Sequence, residues 1–179
     1  MVNFLKKRLQ VFVSSTFLDL KKERQAAVSA ILSAGHIPAG MELFTAGDQS
    51  QMEVIKQWID ESDVYLLILG SRYGSIEPET GKSYTHLEYD YAVSKNKPLF
   101  ACVIQNSAIE PRVKELGMDV LEGKNPQKLE DFRTVVLSKM SSFWSDTRDI
   151  ELEIIKALQT FSRREDLTCL LYTSPSPRD

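Results

Sequence analysis

Cysteine and histidine are scarce, and their scarcity excludes several chemistries at once. Of 179 residues two are cysteine, Cys102 inside an apolar run and Cys169 near the end, too few for a disulfide framework and without metal-site spacing. His36 and His86 are the only histidines, and neither stands where a Ser-His-Asp or Cys-His arrangement or a paired metal site can be assembled around it, so structural or surface roles are expected. No run of about eighteen apolar residues occurs, and the apolar part of MVNFLKKRLQVFV is too short for a signal peptide or a span. A cytoplasmic protein with no membrane segment is expected. Charge of one sign is also missing. With 26% charged residues and a net charge of −3, neither a broad basic surface for nucleic acid nor an acidic disordered tail is present. Gly-x-Gly-x-x-Gly and Walker patterns are absent, which excludes a classical dinucleotide fold and a P-loop NTPase.

What is present is alternation. Val11, Phe12 and Val13 form an apolar run that reads as a strand buried on both faces, stopped by the hydroxyls of Ser14, Ser15 and Thr16. Asp19 is placed to cap a helix over Leu20 to Ser33, with Leu20, Ala27, Val28, Ile31 and Leu32 on its apolar side. Gly35 ends that helix, and His36 to Met41 gives a short extended segment that Pro38 confines to a sheet edge. A turn-rich loop over Glu42 to Ser50 leads to a helix from Gln51 to Glu61, with Asp48 or Ser50 as its cap. DVYLLILG, Asp63 to Gly70, has no polar face and reads as the central strand.

Gly70 to Ser75 forms a second polar loop at the same sheet edge, lengthened by a mobile-looking stretch from Glu77 to Gly81. Ser83 or Thr85 opens a helix to about Lys95 with Leu87, Tyr91 and Ala92 inward, and Pro98 to Ile104 is the next strand. Short helices are expected over Glu110 to Leu116 and Pro126 to Arg133, a last strand over Met140 to Ser145, and a last helix over Asp146 to Phe161 with Ile150, Leu152, Ile154, Ile155 and Leu158 inward. The order βαβαβαβαβα predicts an α/β, flavodoxin-like three-layer sandwich with a five-stranded parallel sheet of order 2-1-3-4-5. Residues 1–166 read as a single domain. Residues 167–179 do not fit the pattern, and TCLLYTSPSPRD resembles translated sequencing-adapter read-through, so further domains of a longer natural chain are expected in its place.

The segments VFVSSTFLDL, GHIPAGMELF, IDESDVYLLILGSRYGS and SYTHLEYDYA closely resemble the TIR-like family called domain of unknown function 4062, over roughly residues 8 to 163. The resemblance implies a TIR-like α/β fold, found at the N-terminus of large signalling ATPases and bacterial defence proteins. More distantly the layout is similar to TIR domains. Ile55, Ile59, Ser62 and Asp63 match their I-x-x-x-I-x-x-S-D segment, and Tyr84, Thr85 and Glu88 fall where their Trp, Cys and catalytic Glu stand.

The resemblance implies a carboxylate chemistry at Glu88. In the first turns of its helix Glu88 points back toward the sheet edge, near Arg72, Tyr73 and the Ser14–Thr16 loop, where it could hold ribose hydroxyls and stabilise an oxocarbenium-like transition state. Ser14, Ser15, Thr16 and Arg72 are candidates for the diphosphate or second ribose, and Tyr73 and Tyr84 line the same edge. No metal and no resident cofactor is implied, NAD being a candidate substrate. Structural readings stand beside these: Glu88 complements a helix dipole, Arg72 clamps Glu88 or Asp90, and Ser14, Ser15 and Thr16 satisfy loop amides. Two functions remain open, a nucleotide glycohydrolase and a non-catalytic module that senses a nucleotide or self-associates. Deoxyribosyl transfer is a third use of a glutamate on a similar fold.

Overall fold

The computed structural model describes residues 7–40 and 49–167. Strands β1 (Gln10–Ser15), β2 (Ile37–Gly40), β3 (Val64–Leu69), β4 (Leu99–Ile104) and β5 (Ser141–Trp144) alternate with helices α1 (Lys21–Ser33), α2 (Gln49–Glu61), α3 (Tyr84–Ser94), α4 (Asn106–Leu116), α5 (Pro126–Leu137) and α6 (Thr147–Ser162). The strands pair in parallel in the order β2-β1-β3-β4-β5, the flavodoxin-like order expected from the sequence. β2, which holds Pro38, is the outer strand on its side.

The sheet is buried on both faces because its strands are apolar at consecutive positions. Val11, Val13, Val64, Leu66, Ile68, Phe100 and Cys102 pack against α1 and α6. Phe12, Tyr65, Leu67, Leu69, Ala101 and Val103 pack against α2, α3 and α5. Each fully buried side chain of this size contributes roughly 1.5–3 kcal/mol, so the three inner strands carry most of the apolar burial. Cys102 is a free, buried thiol that desolvation pushes up to about 12, which leaves it unreactive.

Several local expectations are corrected. Asp19 does not cap α1: the cap position is Leu20, and no side chain bonds the free amides there. Leu32 and Leu152 are exposed, because the buried stripes are Ala26, Ala27, Ala30 and Ile31 on α1 and Ile150, Ile154, Ala157, Leu158 and Phe161 on α6. On α3 the buried residues are Thr85, Glu88, Tyr89 and Ala92, so the helix turns a partly polar face to the sheet, and its cap is Ser83, whose Oγ accepts from the His86 amide. The two short helices extend to Asn106–Leu116 and Pro126–Leu137. The stretch expected to be loose, Glu77 to Gly81, is stapled: the Glu77 carboxylate accepts from the Glu79 and Thr80 amides and the Thr80 hydroxyl. Asp48 and most of the loop beginning at Glu42 lie outside the described residues, as do Cys169 and the segment from Thr168 onward. Leu167 packs partly against the core.

Candidate functional site

In a sheet of this order the chain turns in opposite directions from β1 and β3, which leaves a crevice beyond their carboxyl ends. Thr16 from the loop after β1 and Gly74 from the loop after β3 meet there. A Cβ on Gly74, whose φ is +96°, would stand 3.0 Å from Thr16 Cγ2, so the contact depends on glycine.

Beside this contact lies a buried polar cluster. The side chain of Ser14, the last even-numbered residue of β1, points to the same face as Phe12, toward α3. Its hydroxyl donates to Glu88 Oε2 at 2.5 Å. Glu88 lies in the second turn of α3, 5% exposed. Burial pushes its carboxyl up from 4.5 to about 7, against the opposing pull of the Ser14 hydrogen bond and of the Arg24 charge. Arg24, on α1, is itself buried and reaches the outer edge of β1, where Nη1 donates to Ser15 Oγ at 2.9 Å and to the Val13 carbonyl at 3.4 Å. A Cβ on Gly40 would stand 2.9 Å from the Val13 carbonyl oxygen and 3.3 Å from Arg24 Nη2, so the end of β2 is cut to admit the guanidinium. The Tyr65 hydroxyl, fully buried and without a partner among the described residues, completes the surroundings. Burial first and the Glu88 charge second hold it well above its usual range. The Tyr89 hydroxyl is likewise buried and unpartnered among the described residues.

The nominated residues therefore separate. Ser14 and Glu88 are bonded directly, and Ser15 accepts from Arg24, whose charge acts on Glu88, while donating its own hydroxyl to the Thr16 carbonyl at 2.7 Å. Thr16 Oγ1 is buried without a hydrogen-bond partner among the described residues. Arg72 is placed differently from expectation. It bonds neither Glu88 nor Asp90; its Nη1 donates to the Asp119 carbonyl at 3.1 Å and its charge acts on Asp19 and Glu122. Tyr73 is turned inward as well. It is 2% exposed, its hydroxyl shares a 2.7 Å hydrogen bond with His86 Nδ1, and its ring meets Phe132 edge-on. His86 stacks on Phe132 with ring centres 4.2 Å apart, and burial holds its pKa below the usual value against the pull of Asp90. Tyr84, half-buried at the start of α3, is fixed by its amide to the Ser75 carbonyl. His36 accepts the Leu9 amide at Nδ1, a structural role.

Arg24, Tyr65 and Tyr89 were not legible as site residues. A charged residue within an amphipathic helix reads as solvated, and a tyrosine inside an apolar strand reads as core. Two signals pointed to this neighbourhood: the hydroxyl-rich loop at the carboxyl end of the first strand, and the resemblance that places Glu88. Among the described residues no group of three or more His, Cys, Asp or Glu is placed to hold a metal ion, and no helix is long and apolar enough to cross a membrane.

Comparison with known proteins adds a family. Residues 10–159 match the family described as Domain of unknown function (DUF4062). No curated protein matches. Among solved structures, a CMP N-glycosidase, BcmB, from Clostridium botulinum is similar at 13% identity and a TM-score of 0.47, over 81% of this chain and 96% of that one. A flavo di-iron protein from Thermotoga maritima is similar at 14% identity and a TM-score of 0.48, over 88% of this chain and 37% of that one.

Proposed function

The chain belongs to the family called domain of unknown function 4062, and from that premise we propose a TIR-like signalling or defence domain that cleaves the N-glycosidic bond of a nucleotide, with NAD as the first candidate. The observation that carries the reading is the Glu88 carboxyl: buried beside the carboxyl end of β1, held by one hydroxyl at 2.5 Å, and raised to a pKa of about 7. A carboxyl raised by burial beside a specific partner at a sheet crevice is a functional-site candidate.

The chemistry is simple to balance. In NAD the bond between the anomeric carbon and the pyridinium nitrogen breaks, and its electron pair returns to the nitrogen, so nicotinamide leaves neutral without a general acid. The anomeric carbon becomes oxocarbenium-like, and an ionised Glu88 stabilises that charge while accepting from ribose hydroxyls in place of Ser14. Water then adds to the carbon and its proton passes to solvent or to Glu88. Ser14 is the positioning residue, and Arg24 biases Glu88 toward the ionised form that the reaction needs.

The test is release of nicotinamide from NAD, and of free base from a panel of nucleoside monophosphates, by concentrated purified protein. Glu88→Gln should lower the rate by about 10²–10³-fold while leaving the melting transition cooperative. Equal rates for the two proteins would exclude the reading. A second reading, a non-catalytic module that binds a nucleotide or a second copy of the chain, is favoured by the low exposure of Glu88 and by Ser14 already occupying it. In that case Glu88→Gln is silent in every turnover assay, and assembly measured by light scattering responds instead to changes on exposed helix faces.

A further inference from the structure

The same sheet edge carries a second feature, on the opposite face, that the Glu88 chemistry does not use. A groove of about 560 Å³ opens between the first turn of α1, the inner side of α4 and the start of α6. Asp19 lines it. Both Asp19 carboxylate oxygens are buried, and neither has a hydrogen-bond partner among the described residues. The neighbouring terminal guanidinium nitrogens are turned elsewhere, although Arg112 Nε is buried and also lacks a partner among the described residues. Arg112 gives Nη1 to Glu23 at 2.5 Å and Nη2 to the Asp19 backbone carbonyl, and Arg72 bonds the Asp119 carbonyl. The Thr16 hydroxyl lies close enough to lower the Asp19 pKa, but makes no hydrogen bond of acceptable geometry. Burial outweighs these influences and holds the Asp19 carboxyl above its usual range. A buried acceptor left open in this way is a group awaiting a donor.

Of the other charged groups lining the groove, Lys22 and Glu115 are exposed, and the rest are engaged. Glu23 is neutralised by Arg112, Asp146 caps α6 by accepting from the Arg148 and Asp149 amides, and Lys21 sits over the Phe17 ring at 5.5 Å. Part of the wall is apolar: Leu18 is 74% exposed and Leu116 44% exposed, with Ala108 and Pro111 also lining the groove among polar residues. An anion would meet the Asp19 carboxylate, which the Arg72 and Arg112 charges offset without bonding it. A metal ion would lack ligands, because no cluster of three donors stands among the described residues.

We propose that this groove binds an organic cation, an ammonium or guanidinium carried on an aliphatic arm, with Asp19 receiving the head and Leu18, Pro111 and Leu116 covering the arm. Charge-assisted bonds to both carboxylate oxygens supply the recognition, and the apolar walls supply contact area. The head group has two sources, a free amine or an arginine or lysine side chain of a peptide, and the experiment separates them.

The experiment is titration calorimetry of the full chain with agmatine and, in a second arm, with a short acetylated and amidated peptide holding one arginine. Saturable binding in either arm is expected, agmatine alone indicating a free amine and the peptide alone a partner's side chain. Asp19→Asn should weaken it at least tenfold. Leu116→Arg, which tethers a guanidinium at the groove and changes an exposed residue, should block it in a protein that melts normally, so the test stands even where Asp19→Asn folds poorly. Glu88→Gln should bind unchanged, so failure here is distinct from failure of the glycosidase reading. No heat from either probe, or full binding by Asp19→Asn, would overturn the proposal.

Discussion

Glu88 and Asp19 are two buried carboxyls beneath one edge of one sheet, on opposite faces, and desolvation raises both. They differ in company. Both feel a nearby guanidinium charge, but Glu88 has a hydroxyl donor at 2.5 Å inside a closed cluster, whereas Asp19 has no hydrogen-bond donor among the described residues and borders an open groove. Burial alone therefore does not distinguish a held carboxylate from a waiting one. The partner does.

The sharpest way to probe that difference is through pH. Glu88 has a folded pKa of about 7 against 4.5 when unfolded. Between these values the unfolded chain gives up a proton that the folded chain keeps, so stability is full below about pH 4.5 and is lost as pH rises through 7, by about 3 kcal/mol in all. Glu88→Gln should flatten this loss, and urea unfolding at pH 5 and pH 8 measures it; an equal slope in both proteins would show that Glu88 is solvated. Ser14→Ala removes the only hydrogen-bond donor to Glu88 among the described residues and should cost about 2 kcal/mol at pH 8, less at pH 5 where the carboxyl is protonated. Asp19→Asn breaks the comparison from the other side. With no donor to lose, it should stabilise the protein by about 1 kcal/mol at pH 8, and a loss instead would mean that a donor is present. Arg72→Ala should change stability by no more than about 0.5 kcal/mol, since its bond to the Asp119 carbonyl is exposed.

The frame of the molecule was legible because apolar continuity is a strong signal. VYLLIL, with all six residues buried, reads as a central strand, and the alternation of strands and helices points to a parallel, doubly wound sheet, of which the order 2-1-3-4-5 is one natural solution. The site was legible in part. Ser14 and Glu88 lie at a strand end and in the early turns of a helix, two places that topology brings together. The directions of Arg72 and Tyr73 were not, since consecutive residues leaving a strand point to opposite sides, and Tyr73 follows His86 and Phe132 into the interior. Leu32 and Leu152 show the limit of periodicity: a stripe can continue past the neighbour that covers it. The Asp19 groove gave no sign, being assembled from three helix segments separated by dozens of residues.

Pro111 sits inside α4 and removes one of its amide donors, no residue of that helix is buried, and only Ala108 and Ile109 rest on the core. What holds it is mainly Arg112, bonded to Glu23 and Asp19 and laid over the Trp144 ring at 5.4 Å. In native-state hydrogen exchange α4 should open by itself, at a small fraction of the free energy that unfolds β1, β3 and β4. One wall of the groove is thus a helix with little buried surface of its own, so an occupant of the groove should be recorded as slowed amide exchange between residues 106 and 116.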